Sequence, residues 1–197
     1  MKTNKNNSVK TSSFKLVCLL TLLVTLGCSD QKGFTQQKQS SDSETKAPAV
    51  DIHTAVLTDN SDALKQHIAA GSNLNEKDPY GGSSPLISAA LFGKTEMAKI
   101  LIEADADINF RNNEGSTALH TAAFFCRPEI VKMLLDKGAD KTIRNKYEST
   151  AYESVAGPFS ELKSSYDMMG QMLAPMGLKL DYAYIEKTRP EIAAMLK

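Results

Sequence analysis

The sequence predicts an all-α fold, a solenoid of about four helix-turn-helix units with a helical C-terminal insert and cap. Two observations predict it. Ser84-Pro85-Leu86-Ile87-Ser88-Ala89-Ala90, Thr117-Ala118-Leu119-His120-Thr121-Ala122-Ala123 and Thr150-Ala151-Tyr152-Glu153-Ser154-Val155-Ala156 follow one another at 33 residues, and Ile52-His53-Thr54-Ala55-Val56 lies 34 residues upstream. A second motif keeps the same phase: Ala70-Gly71-Ser72-Asn73, Ala104-Asp105-Ala106-Asp107 and Lys137-Gly138-Ala139-Asp140 are spaced by 34 and 33. Self-similarity at such a period marks a repeat architecture. One unit cannot bury its own apolar face, so neighbouring units must stack.

The chain begins with a segment of another kind. Lys2, Lys5, Lys10 and Lys15 precede an uncharged run of 11 residues, LVCLLTLLVTL, at 16–26. A spanning helix needs about 20 apolar residues. A basic flank, a short apolar run and small residues at its end predict a secretory signal over 1–27. The run ends at Leu26-Gly27-Cys28-Ser29, which resembles the bacterial lipoprotein signal. The place three residues before the cysteine, usually Leu in that family, holds Thr25. The resemblance implies cleavage before Cys28, lipidation of Cys28 and a lipid-anchored protein on the periplasmic side of the cell envelope. Ser29 after the cysteine implies the outer membrane. An ordinary cleaved signal with an incidental cysteine is the alternative. Several acyl chains hold a protein to a membrane stably, whereas one is marginal.

Residues 28–49 are rich in Ser, Gln, Thr and Lys and hold no aliphatic cluster. They bury too little apolar surface to offset ordering entropy, which predicts a flexible tether.

Over residues 50–156 the two motifs resemble the ankyrin repeat, whose signature opens a first helix with T-P-L-H-x-A-A and closes a second with G-A-D. Each position has a physical reason. Thr117 offers a side-chain oxygen to the end amides of a helix. Pro85 falls where a missing N–H costs nothing. Ala89, Ala90, Ala122 and Ala123 let first helices approach closely. Ile100, Leu101, Met133, Leu134 and Leu135 give second helices an apolar face. Gly71 and Gly138 end those helices in the left-handed region, where Asp105 stands in for the middle glycine.

Beyond residue 156 the pattern breaks. Arg189-Pro190-Glu191-Ile192 copies Arg127-Pro128-Glu129-Ile130 at an offset of 62, one period plus 29. Residues 157–197 therefore read as a helical insert and C-terminal capping repeat, the fourth unit being split by 29 residues. A separate fifth unit with a degraded first helix is the alternative. The insert is expected to hold a helix over about 160–174, with Phe159, Leu162, Tyr166, Met169 and Leu173 on one face. Met168, Met169, Met172 and Met176 suit an adaptable binding face or a cap over the last repeat.

Composition narrows the function. Lys plus Arg equals Asp plus Glu at 23 each; without the four lysines of residues 1–27, 19 basic and 23 acidic side chains remain, a net charge of −4. A mildly acidic chain without a basic stripe has no general attraction for nucleic acid. Cys126 alone remains outside the signal and its cysteine, so no internal disulfide forms. No Cys/His set has metal-site spacing. His53 and His120 share one repeat position and read as structural hydrogen-bonders. Cys126 reads as a buried or incidental thiol. No catalytic residue, cofactor or metal is expected.

The expected function is binding of a protein partner by the concave face of a monomeric module, through rigid surface complementarity and without turnover. By the resemblance, partners meet the hairpin tips and the ends of the first helices. The tips map to Tyr80, Gly81 and Ser83, to Asn113, Glu114 and Ser116, and to Lys146, Tyr147 and Ser149. The helix ends map to Leu91-Phe92 and Phe124-Phe125, two apolar pairs that would form one concave stripe unless they turn inward or the insert covers them. An envelope enzyme with a site between insert and repeats, and a secreted effector, are the alternatives.

Overall fold

The computed structural model describes residues 46–197. The signal over 1–27, Cys28 and all but the end of the tether lie outside the described residues. The described chain is helical, with no strand. No helix among the described residues is long and apolar enough to cross a membrane.

The first unit pairs α1 (Ile52–Leu57) with α2 (Ser61–Ala69). The second pairs α3 (Pro85–Phe92) with α4 (Thr95–Glu103), and the third α5 (Ala118–Phe124) with α6 (Pro128–Asp136). Caps start the first helices: Asp51 accepts from Thr54 N–H, Ser84 from Ile87 N–H and Thr117 from His120 N–H. Each satisfies an amide that the helix itself leaves open. Pro85 and Pro128 stand at the first turn, where no N–H is missed.

First helices pack on first helices and second on second: α1 on α3 on α5, and α2 on α4 on α6. Ala89, Ala90, Ala122 and Ala123 are fully buried in that contact, the small side chains setting the close approach. Leu101 and Leu134 fill the equivalent place in α4 and α6, which His67 takes in α2, and Leu64 packs one turn earlier; all three leucines have no exposed area.

The fourth unit is built differently. Thr150 and Glu153 form a reciprocal cap, Glu153 N–H donating to the hydroxyl at 3.2 Å and Thr150 N–H to the carboxylate at 2.7 Å. Yet α7 lasts only from Glu153 to Ala156. Pro158 disfavours helical backbone at Gly157, which is extended at ψ 167°, and this ends the helix a turn short. The chain then makes α8 (Phe159–Leu173), a 3₁₀ turn at Ala174–Met176 and α9 (Tyr182–Leu196). The C-terminal part of α9 packs on α6 and α7 and buries Ile192 and Leu196 in the main core.

The copied Arg-Pro-Glu-Ile motif does not open a helix here as it does at Arg127. Pro190 stands inside α9, eight residues after the helix starts at Tyr182. Interior proline removes one helical hydrogen bond and crowds the carbonyl four residues back. That carbonyl belongs to Glu186, an exposed residue whose backbone water can satisfy.

Candidate functional site

The loops between units project as hairpins, and their tips form one edge of the stack. Each hairpin closes on a backbone bond: Asp78 N–H to Ser83 O at 2.9 Å, Asn112 N–H to Ser116 O at 3.0 Å and Asn145 N–H to Ser149 O at 3.1 Å. The side chains of the same three residues brace the turn from within. Asp78 accepts from Tyr80, Gly81 and Ser83 N–H at 2.7–2.8 Å. Asn112 Oδ1 accepts from Glu114 and Ser116, and Asn145 Oδ1 from Tyr147 and Ser149. Burial pushes the Asp78 carboxyl up, but the N–H groups aimed at it outweigh burial and hold it below its ordinary value. Neighbouring tips are then tied together, Asn113 N–H to Gly81 O and Lys146 N–H to Glu114 O, both at 2.9 Å. Behind them Arg111 donates to Arg144 O at 2.7 Å, and Arg144 makes a two-toothed pair with Glu153.

This frame holds side chains out to solvent. Tyr80 is 86% exposed and Tyr147 70%, the two largest exposures among the big hydrophobics of the described residues. Asn113, Glu114 and Lys146 are exposed between and beside them; Ser83 is half-buried and its carbonyl closes the first hairpin. The bracing residues Asp78, Asn112 and Asn145 are absent from the sequence reading of the site. Their signal was there: Asx residues at spacings of 34 and 33, each opening a turn.

The helix ends require a correction. Leu91 and Phe92 are half-buried. Phe125 is 3% exposed, and Phe124 lies under Tyr166 of α8, the rings stacked with centroids 4.4 Å apart. No free stripe joins the two pairs, because the insert covers the second. Phe159, Leu162, Leu180 and Tyr182 close over the same cluster.

Under that cover lies a polar chain. The Tyr166 hydroxyl donates to Phe124 O at 2.6 Å and accepts from the Arg189 guanidinium at 2.9 Å, while Arg189 also donates to Gly157 O at 2.8 Å. Arg189 is 3% exposed, and its Nε has no partner. Burial pushes the Tyr166 phenol up to about 12. Arg127, the residue Arg189 copies, donates to Leu91 O at 3.3 Å. Leu91 and Phe124 are equivalent carbonyls at the ends of α3 and α5, so both arginines serve first-helix C-termini, one directly and one through Tyr166.

The remaining candidates have structural partners. His120 Nε2–H donates to Ser149 O at 3.1 Å, and its Nδ1 accepts from Thr117. Burial holds it below the ordinary histidine value, in the neutral form those bonds require. His53 Nε2–H donates to Glu76 O at 3.0 Å. Cys126 is fully buried; burial pushes its thiol up to about 11, which leaves it protonated at neutral pH.

A family model for ankyrin repeats, in three copies, matches residues 52–145. The human DNA-binding protein RFXANK is 37% identical over 59 residues, 30% of this chain and 23% of that protein. The ankyrin repeat domain of Bcl-3, described as a unique member of the IkappaB family, superposes with a TM-score of 0.51 at 28% identity, covering 52% of this chain and 45% of that one. The chain thus spans less than half of either relative.

Proposed function

We propose that this chain is a protein–protein interaction module built on ankyrin repeats, a periplasmic lipoprotein tethered to the membrane through Cys28 that captures a protein partner on its hairpin edge; the three ankyrin-repeat copies matched over residues 52–145 support the module. One observation carries the choice of surface. Tyr80 and Tyr147 are nearly bare on turns already fixed by Asp78 and Asn145. A rigid aromatic on a braced turn loses little freedom on binding and offers a large contact area. Asn113, Glu114 and Lys146 supply the polar contacts between, and Leu91 and Phe92 extend the surface along the second repeat. The relative's name speaks of DNA, but a net charge of −4 past residue 27 gives no attraction for phosphates, so the partner is a protein. Binding occurs without turnover.

Two measurements test this. The Tyr80→Ala/Tyr147→Ala double variant keeps its unfolding free energy within about 0.5 kcal/mol per substitution, as exposed positions do. It is expected to lose capture of the partner that wild type retains from envelope extracts. Undiminished capture would move the site elsewhere. For the tether, mass spectrometry of wild type should show acylated Cys28, and Cys28→Ala should release the protein from the membrane. An unacylated wild type, with the variant still membrane-bound, defeats that half of the proposal.

A further inference from the structure

The methionines fall into two populations. Those of the stack pack: Met97 is 2% exposed, and Met133 and Met195 are half-buried. Three of the four in the insert stand in water, Met168 at 64%, Met172 at 62% and Met176 at 46%, with Met169 half-buried beside them. Packing does not account for apolar side chains held in solvent on one short segment.

Their spacing gives a second account. At about 100° per residue, Met168 and Met169 diverge by roughly 100° around α8, and Met172 stands one turn on at an azimuth between them. Residues three and four apart on a helix have Cβ atoms about 5–6 Å apart. Methionine side chains in helices lean back toward the N-terminus, so the Met172 thioether leans over the gap between the other two. Met176 follows four residues after Met172, in the 3₁₀ turn at Ala174–Met176. Three rotatable bonds let each sulfur adjust. The turn before presents Ser164 and Ser165, not cations. Lys163 is engaged with Asp167 at 3.0 Å and sits over the Tyr182 ring.

We propose that Met168, Met169 and Met172 form a thioether site for a soft monovalent cation, Cu(I) or Ag(I), with Met176 as an additional donor. Neutral sulfur ligands favour such ions and discriminate against Zn(II), Mg(II) and Ca(II), which want imidazole, thiolate or oxygen. Among the described residues no group of three or more His, Cys, Asp or Glu could hold a metal, so the thioethers meet no competing cluster there.

The probe is Ag(I), added as the nitrate in chloride-free buffer to the full chain labelled with ¹³C at the methionine ε-methyls. The methyl resonances of Met168, Met169 and Met172 are expected to move and to saturate with one bound ion, while that of Met97 stays still. The triple variant Met168→Leu/Met169→Leu/Met172→Leu keeps the apolar area and the helix, checked by circular dichroism. By native mass spectrometry it should take up one silver ion fewer than wild type. Thiols bind their own ions in both proteins and cancel in that difference. Unmoved resonances once the thiols are filled, equal uptake by the leucine variant, or the same shifts with Zn(II) would each overturn the site.

Discussion

At the scale of single residues, each repeat asks for a left-handed backbone three times. After the first helix these positions are Asp59, Gly93 and Cys126; after the second, Gly71, Asp105 and Gly138; in the hairpin, Gly82, Gly115 and Glu148. Four of the nine carry a side chain at φ 52–58°, where an L-residue loses about 1–2 kcal/mol. Asp105→Gly and Glu148→Gly are therefore expected to stabilise the protein by about 1 kcal/mol each, less the entropy glycine adds to the unfolded chain. Chemical denaturation followed by circular dichroism checks this; a lowered midpoint in both would contradict it. Gly82→Ala should move the other way. Its Cβ would lie 2.3 Å from Asn113 Oδ1, in addition to the backbone strain. Gly71, Gly138 and Asp105 were legible from the G-A-D phase. Asp59, Cys126 and Glu148 were not, because a side chain at a left-handed position leaves no compositional mark.

At the scale of elements, the C-terminal part keeps two layers of helices although the chain leaves the stack between them. Proline cuts α7 short, α8 leaves the stack, and α9 returns to fill the place of a second helix against α6 and α7. What joins α8 to the stack is the Arg189–Tyr166–Phe124 chain together with the ring stack on Phe124. Tyr166→Phe keeps the ring but strands the Phe124 carbonyl and one arginine nitrogen. The expected loss is about 1–3 kcal/mol, the range for a buried partner left unpaired. Adding Arg189→Met removes the stranded cation, so the double variant should be less destabilised than the sum of the singles. Strict additivity in urea melts would show that the two groups act independently. The α8 helix and the N-terminal part of its apolar face were readable from spacing alone: the helix expected over 160–174 runs Phe159–Leu173, and Phe159, Leu162 and Tyr166 face the cluster, whereas Met169 and Leu173 lie outside it. The start of α9 was not, since Arg189-Pro190 carries a helix-opening signal that a longer helix overrode.

At the scale of the whole molecule, the stack is a one-dimensional object whose end must be covered. Ile192 and Leu196 supply the cover over α6 and α7. Deleting residues 188–197 is expected to bare Ile130, Val131 and Leu134, raise binding of an apolar dye and lower the melting temperature. A truncated chain that melts like wild type and binds no dye would show that α9 is dispensable to the core. The sequence by itself determined the period, the two helices per unit, their caps and apolar faces, and the hairpin edge with Tyr80 and Tyr147. All of these follow from interactions within a few residues or between identical neighbours, and repetition prints them several times over. Only the tertiary structure decided which aromatic surface stays free. Phe124 and Phe125 match Leu91 and Phe92 in sequence position, but Tyr166, 42 residues further along the chain, folds back onto Phe124. Covering depends on where a non-repeated segment lands, and that rests on contacts made once, between residues with no local pattern to announce them.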